Sequence, residues 1–94
     1  MDSYFEEIVN SLSIEDLSLL GLLHDNDAEI KFKAIKKKDL QEQSNLSEAN
    51  FRKSIYRLEI AKLIEIVTGQ KEHKVFITNF GQKALNISLS KEAI

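Results

Sequence analysis

The chain has 94 residues, 43% of them apolar, with three glycines, no proline, no cysteine and a formal net charge of −2. This length and apolar content predict one folded domain over residues 1–94, and the absence of cysteine excludes disulfide bonds and thiolate metal sites. The net charge hides a segregation that is typical of a polyanion-binding protein, since residues 1–30 carry eight acids and no Lys or Arg, while residues 31–94 carry thirteen bases and seven acids. The same numbers of acids and bases would also arise from an uneven scatter of solvated charges. The positions of the bases in the fold must therefore distinguish a binding face from a chance distribution.

The N-terminal residues predict a short amphipathic helix over residues 3–11. Its apolar side chains recur at helical spacing, and the acidic opposite face favours core packing or a dimer surface over a membrane anchor. These side chains are Tyr4, Phe5, Ile8, Val9 and Leu12. Acids stand where a signal peptide carries lysines, and no apolar run reaches the roughly 18 residues of a membrane span, so the sequence predicts a cytoplasmic protein.

A second helix is predicted to begin at the capping box Ser13-Ile14-Glu15-Asp16, in which the Ser hydroxyl and the acid three residues on each accept from the other's backbone amide. Its five leucines make it apolar on more than one side, which suits a central helix, and it ends in the polar turn 24–27. In residues 28–35 apolar and charged side chains then alternate, which predicts a strand with Ala28, Ile30, Phe32 and Ala34 on its buried face. Good helix formers predict a short helix over about 36–43.

The spacing of the next segment predicts a helix-turn-helix. Ser44, Asn45 and Leu46 form a three-residue turn, in which Asn tolerates the left-handed conformation, and Ser47 is predicted as the N-cap of a helix over 47–62. The inward stripe of this helix is Phe51, Ser54, Ile55, Leu58 and Ala61. The outward stripe is Glu48, Asn50, Arg52, Lys53, Tyr56 and Arg57.

Two β-branched runs, 64–67 and 74–78, are joined by a Gly-containing loop and predict a β-hairpin. Thr78 or Asn79 is predicted to cap a last helix, which is followed by a tail over 88–94. The side chains predicted to face inward from that helix are Phe80, Ala84, Leu85 and Ile87.

The element order and two local motifs resemble the winged helix-turn-helix domain of MarR-like bacterial regulators. The stretch 46-LS-47 with 57-RLEIAKLIEI-66 resembles the end of their recognition helix and the start of the wing. The stretch 77-ITNFGQKAL-85 resembles their Leu-Thr-x-x-Gly-x-x-Ala-Leu entry into the next helix. The chain departs from their pattern with Lys36 where Ser or Thr is usual, Lys62 where Gly is usual, and Gln41 and Ser44 where small or apolar residues are usual.

The resemblance implies an α+β fold, a winged helix-turn-helix with a three-helix core, a two- or three-stranded wing and flanking N- and C-terminal helices. It divides the domain into an N-terminal helix over 1–12, a core over 13–87 and a tail over 88–94. The segment 28–35 is then interpreted as the third strand of the sheet. In size and in this link the chain is also similar to the centromere-binding adaptors of tubulin-type plasmid partition systems.

The basic and polar side chains on the outward stripe of the helix over 47–62 predict contacts with double-stranded DNA. Lys and Arg gain affinity by neutralising phosphates and releasing their counterions, and the major groove is wide enough for one helix. Asn50 and Arg52 are of types that read base edges, whereas Lys53, Tyr56 and Arg57 suit phosphates and Ser47 adds a hydroxyl. The resemblance implies that the wing contacts the adjacent backbone or minor groove. The side chains for this contact are Lys71, His73 and Lys74, although His73 also fits a polar turn residue without a role in binding. Lys36, Lys37 and Lys38 either extend the footprint or are simply solvated. Glu48 either accepts from a cytosine amino group or stabilises the first turn of the helix.

We expect a homodimer, since helix-turn-helix proteins commonly read two half-sites, with the terminal helices as the dimer surface. A tubulin-like GTPase is the expected further partner if the protein is a partition adaptor. No grouping of residues suggests catalysis, a cofactor or a metal site. A winged helix used for protein contact without DNA is the alternative, favoured by the acidic first third and the modest net charge.

Overall fold

The computed structural model describes residues 2–69 and 71–92, with side chains described for residues 5–69 and 71–89. Within them the chain forms five α-helices, a 3-10 turn and a three-stranded antiparallel sheet in the order β1-β3-β2. The elements are α1 Asp2–Ser11, α2 Ile14–Asp25, the 3-10 turn Lys31–Lys33, β1 Ile35–Lys36, α3 Lys37–Ser44, α4 Glu48–Ile60, β2 Ile64–Thr68, β3 His73–Ile77 and α5 Asn79–Glu92. None of these helices is both long and apolar enough to span a membrane. The predicted α+β architecture with flanking helices is confirmed.

Helix α2 is the centre of the core, in contact with α3, α4, α5 and β3. The predicted capping box is present, since the Ser13 hydroxyl accepts from the Asp16 amide and the Asp16 carboxylate accepts from the Ser13 amide, each at 3.1 Å. Leu19, Leu20 and Leu23 are fully buried. Burial of side chains from both flanks of one helix follows from its all-round apolar pattern, as predicted.

The prediction of a strand over residues 28–35 is wrong for most of that range. Ala28 is buried and its carbonyl accepts from the Ile77 amide at 2.8 Å, but Ile30 is 51% exposed and Phe32 is 96% exposed. The chain turns through the 3-10 turn and pairs with β3 only over β1. The segment must run from the end of α2 to the outer edge of β3, and this path overrides its alternating pattern. A third strand is nevertheless present, as the resemblance implied.

Residues with positive φ follow three of the four α-helices that precede the wing. The φ angles are 56° at Asp27 after α2, 59° at Asn45 after α3 and 65° at Lys62 after α4. The left-handed turn predicted at Asn45 is confirmed. Lys62 occupies the position where MarR-like proteins usually carry Gly. Its backbone is left-handed, as a Gly there would be, although the residue carries a side chain.

A tight junction joins α4, the wing and α5 at this point. The Thr78 hydroxyl donates to the Lys62 carbonyl at 2.7 Å and accepts from the Gly81 amide at 3.0 Å, so it caps α5 as predicted. The Thr78 amide donates to the Leu63 carbonyl at 3.0 Å. A Cβ atom at Gly81 would collide with that same carbonyl oxygen and with the Ile77 side chain. The motif 77-ITNFGQKAL-85 is therefore the sequence of this junction.

The terminal helices pack on each other and on the core. Helix α5 continues to Glu92, so the tail predicted over 88–94 is helical as far as the structure describes it. Phe80, predicted to face inward, is 46% exposed and lies against Phe5 with ring centroids 5.4 Å apart. Ala84 and Leu85 are buried, as predicted.

The apolar stripe of α1 faces the chain's own core. Val9 is 5% exposed, and Phe5, Ile8 and Leu12 are partly buried against the core. The predicted use of Val9 as dimer surface is corrected, because its side chain is enclosed within its own chain. Tyr4 lies outside the described side chains.

Gly81→Ala is expected to destabilise the protein by at least about 2 kcal/mol, because the added methyl forces backbone apart in a packed region. Gly21→Ala is the matched control, since nothing lies within 4 Å of a methyl placed there and a helical Gly→Ala change stabilises by about 0.5–1 kcal/mol. Urea unfolding measures both. Equal effects of the two substitutions would contradict the close approach at Gly81.

Lys62→Gly is expected to raise the free energy of unfolding by roughly 1 kcal/mol, because it removes the strain of a side chain in the left-handed region. The same change at Lys53, inside α4, should lower stability by about 1 kcal/mol. Urea unfolding of the two variants should therefore give shifts of opposite sign, and a loss at both positions would contradict the strain assigned to Lys62.

Candidate nucleic-acid interface

Helices α3 and α4 and the turn between them form the predicted helix-turn-helix. The inward stripe of α4 is buried at Phe51, Ser54, Ile55 and Leu58, which fixes the rotation of the helix about its axis. The Ser47 hydroxyl accepts from the Asn50 amide at 3.2 Å, so the predicted N-cap is present. Helix α3 begins at the N-cap Lys36, which offers no side-chain hydrogen bond where the MarR-like pattern has Ser or Thr.

The outward stripe of α4 is exposed, as predicted, at Asn50, Arg52, Lys53 and Tyr56. Arg52 is held by Glu48 one turn earlier, with 2.7 Å between Nη2 and Oε1, and both side chains are about three-quarters exposed. An exposed pair at this spacing contributes only about 0.3–0.5 kcal/mol. Of the two roles predicted for Glu48, the free structure therefore shows the local one, and the pair is weak enough to exchange.

Arg57 departs from its predicted orientation. Its Nη2 lies 2.9 Å from Asp16 Oδ1 and its Nε 3.2 Å from Asp16 Oδ2, and Nη2 also donates to the hydroxyls of Ser54 at 3.2 Å and Ser13 at 3.4 Å. The Arg57 side chain is 48% exposed and that of Asp16 is 1% exposed. Instead of lying free on the outward stripe, the guanidinium ties α4 to the first turn of α2. Its contact with phosphate stays a prediction.

Asp16 is ionised within this cluster. Burial alone would raise its pKa, but hydrogen bonds from Arg57, the Ser13 amide and Ser54, together with the Arg57 charge, more than offset that effect. The pKa of Asp16 therefore lies below its ordinary value, and the carboxylate in turn raises the pKa of Arg57. The pair holds two helices together as charges at neutral pH.

The start of α3 and the wing loop enclose a basic cleft of about 440 Å³. Its lining residues are Lys36, Lys37, Lys38, Asp39, Lys71, Glu72 and His73. Lys36 and Glu72 form an exposed ion pair at 3.4 Å across the cleft, and Lys36 is opposite Lys74 in the pairing of β1 with β3. The structure thus brings the predicted lysines of α3 together with the predicted wing residues.

A second cleft of about 250 Å³ continues from α3 to α4. Its lining residues are Lys37, Lys38, Gln41, Glu48, Phe51 and Arg52. Since Lys37 and Lys38 line both clefts, the two clefts form one continuous surface, here called the basic face. Its lining holds five Lys or Arg side chains and three carboxylates, so it is positive in a chain of net charge −2.

The basic face includes some predicted residues and leaves others beside it. Asn50, Lys53 and Tyr56 are exposed on α4 outside the lining of both clefts, as is Lys74 on β3. Gln41 was missed as a site residue by sequence reasoning, although its place on the short helix before the turn puts it beside α4. Asp16 was missed too, because a capping acid gives no signal of a partner 41 residues away.

The three-helix core, the turn between α3 and α4, the hairpin wing and the basic face define a winged helix-turn-helix protein. The chain is 48% identical over 85 residues to the DNA-binding protein TubR of Priestia megaterium, which covers 90% of this chain and 84% of that protein. The chain belongs to the TubR family.

Solved structures agree with this assignment. The structure of TubR from Bacillus megaterium pBM400 matches with a TM-score of 0.89 and 46% identity, over 93% of this chain and 97% of that one. A MarR family transcription regulator matches with a TM-score of 0.74 and 14% identity, over 97% of this chain and 60% of that one, which shows the shared fold. No family model matches the chain. The predicted resemblance to MarR-like winged helices and to adaptors of the tubulin type is confirmed.

Arg57→Met is expected to lower the free energy of unfolding at pH 7 by about 2 kcal/mol, since it leaves Asp16 buried without its cation. The value is below the 3–5 kcal/mol of a fully buried pair because Arg57 is half exposed. The native pKa of Asp16 is depressed, so the pair's contribution is complete above the unfolded value of about 3.9 and is lost as the pH falls through the native value.

The difference between the wild type and Arg57→Met should therefore narrow between pH 7 and pH 3 in urea unfolding. Lys53→Met, which removes an exposed base from the same helix, serves as control and should change stability by less than about 0.5 kcal/mol. A gap that stays constant down to pH 3 would show that Arg57 acts through its packing and not through the charge of Asp16.

Proposed function

We propose that this protein binds double-stranded DNA, with α4 in the major groove and the wing on the adjacent backbone or minor groove. The observation that carries the proposal is the basic face, which is continuous from α4 across α3 to the wing loop. The major groove, about 12 Å wide, admits one helix, and exposed Lys and Arg beside it gain affinity by releasing counterions. Membership in the family of a protein named as DNA-binding supports the same function.

The exposed side chains divide into base readers and phosphate contacts. Asn50 and Arg52 lie near the N-terminal end of α4 and suit adenine and guanine edges, and the exchangeable Glu48 leaves Arg52 available. Lys53 and Tyr56 suit phosphates beside the groove. The remaining proposed contacts are Ser47, Lys36, Lys37, Lys38, Lys71, His73 and Lys74. Arg57 orients α4 through Asp16, and its exposed edge is left for a phosphate.

We propose a homodimer formed by the terminal helices. Phe80 at the start of α5 is 46% exposed beside the partly buried Phe5 of α1, so these two rings form an apolar surface that spans both helices. A two-fold dimer would present two copies of α4 to half-sites about one helical turn apart.

Within its family the protein is proposed to act as a partition adaptor in the bacterial cytoplasm, which links repeated DNA sites to a tubulin-like GTPase. The match to TubR over most of both chains, in sequence and in structure, supports this role over transcription control. Transcription control uses the same DNA-binding surface, so the two roles differ in genomic context: a neighbouring tubulin-like gene with an array of repeats favours partition.

Binding to a duplex selected from a random pool is expected to weaken about a hundredfold or more between 50 and 200 mM salt, because several phosphates are neutralised. Fluorescence anisotropy at equilibrium measures the dissociation constant at each salt concentration, and the slope of log affinity against log salt concentration follows from these values. No duplex binding at 50 mM salt, or no weakening up to 200 mM, would favour the protein-contact alternative.

Arg52→Ala should weaken binding to the selected duplex by about 1–3 kcal/mol and relax the preference at one base position. Lys71→Ala should weaken binding to selected and random duplexes alike and reduce the salt slope by about one. Lys83→Ala, which removes an exposed base on α5, is the matched control and should change neither. A uniform loss on all sequences for Arg52→Ala would overturn its assignment as a base reader.

A further inference from the structure

The first turn of α4 carries an acid at a place where a DNA-binding protein needs positive charge. Glu48 follows the N-cap Ser47, and its side chain is 74% exposed. Helix-turn-helix proteins place the N-terminal turn of this helix at the base edges, between the two strands of phosphates. A carboxylate there is repelled by the phosphates on both sides. A DNA complex therefore tolerates Glu48 only if a partner compensates its charge.

Arg52 compensates the charge of Glu48 in the free protein. Its Nη2 donates to Glu48 Oε1 at 2.7 Å, and both side chains line the cleft between α3 and α4. Lys37 and Lys38 line the same cleft, but within the described residues neither forms an ion pair with Glu48. The acid of this cleft therefore pairs with a guanidinium and not with a lysine.

The pair leaves Arg52 able to read a base. Glu48 accepts from a single N–H of the guanidinium, and neither Nε nor Nη1 of Arg52 has a hydrogen-bond partner among the described residues. A fork of two N–H donors therefore remains for O6 and N7 of a guanine. Arg52 can contact that base while Glu48 still balances its charge.

A contact between Arg52 and a phosphate has the opposite effect on Glu48. It draws the guanidinium away from the base edges and leaves the carboxylate unpaired in the negative field of the duplex, where the backbone offers it only acceptors. The exposed pair is weak in water, but its loss is costly between two strands of phosphates. Glu48 therefore holds Arg52 at the base edges and away from the backbone.

We propose that Glu48 is a specificity-determining residue of the DNA-binding face, which acts by positioning Arg52. On a site with a guanine within reach, Arg52 reads the base with Glu48 still bound. On a random duplex the pair keeps Arg52 from the backbone, so the complex lacks one phosphate contact. Glu48 thus lowers the affinity for wrong sequences more than for the right one. This role rests on the proposed DNA binding and adds to it a residue that selects against other sequences.

Glu72 provides the comparison, since it also lies on the basic face and pairs with a base there. Its carboxylate lies 3.4 Å from Lys36 Nζ, and both side chains are about half exposed. A lysine ammonium is a point charge without the fork that matches a guanine. Removal of Glu72 should therefore strengthen binding to all sequences alike. An acid that only repels phosphates and an acid that positions a base reader thus differ in their effect on the ratio of specific to random affinity.

Glu48→Gln removes the charge and keeps the size of the side chain. Fluorescence anisotropy on a random duplex should show about tenfold tighter binding and a salt slope steeper by about one, because Arg52 is then free to neutralise a phosphate. Affinity for the duplex selected by the wild type should change by less than about threefold, so the affinity ratio falls. Glu72→Gln should tighten both duplexes equally. Glu42→Gln, which alters an exposed acid of α3 outside both clefts, is the matched control and should change neither.

A double variant separates positioning from direct reading of a base. If Glu48 acts through Arg52, Glu48→Gln should not change the affinity ratio further once Arg52→Ala is present. A ratio that still falls in that background would show that Glu48 itself accepts from a base, and it would overturn the positioning role. Equal tightening of both duplexes by Glu48→Gln would overturn the specificity role.

Side-chain NMR of the arginine guanidinium groups examines the pair without DNA. The chain has two arginines, so their signals are easily told apart. Glu48→Gln should shift the Arg52 signals and leave those of Arg57, which is bound to Asp16, in place. Unshifted Arg52 signals would contradict the pair and with it the positioning role. A wild-type chain that binds neither duplex refutes the DNA-binding proposal as well, whereas binding with an unchanged affinity ratio in Glu48→Gln refutes the role of Glu48 alone.

Discussion

Asp16 connects the local start of one helix with the placement of another. Its carboxylate accepts from the Ser13 amide as part of the capping box of α2, and the same two oxygens receive the Arg57 guanidinium from α4. A carboxylate that is 1% exposed must keep these partners, because an unpaired buried charge is far more costly than the pair. The last turn of α4 is therefore fixed to the capping box at the start of α2. Asn50, Arg52 and Lys53 are exposed on α4 and make no hydrogen bond to Asp16, so they can vary without loss of this anchor.

The second fixed point lies just beyond the same, C-terminal end of α4. Lys62, Thr78 and Gly81 meet there through two hydrogen bonds of one hydroxyl, so the exit of α4, the end of the wing and the start of α5 share a single junction. With the C-terminal end of α4 held at these two points, the wing that follows it is placed beside the recognition helix and the lysines of α3. The positive face therefore results from how the helices are joined, in a chain whose total charge is slightly negative.

The sequence predicted what local rules determine. The capping box, the left-handed Asn45, the N-cap Ser47 and the hairpin each depend on a few neighbouring residues, and each is present. The strand over 28–35 failed because an alternating pattern does not say whether the alternate side chains have anything to be buried against. The tie between Asp16 and Arg57 was out of reach for another reason: the residues are 41 positions apart, and neither position looks unusual within its own helix. Helical spacing was enough to predict which side chains of α4 are exposed. It could not predict that Arg57 is already paired with Asp16.

The helix ends bear on the unfolded chain as well as on the folded one. Where many proteins place Gly to end a helix, this chain has Asp27, Asn45 and Lys62 in left-handed conformations, and it contains three glycines in all. A side chain at such a position strains the native backbone, but it also restricts the conformations open to the denatured chain, which a Gly would widen. Folding therefore gives up less backbone entropy at these three points. This smaller entropy loss offsets part of the free-energy cost of the strained native backbone. The offset arises in the denatured ensemble, so it cannot be seen in the contacts of the native structure.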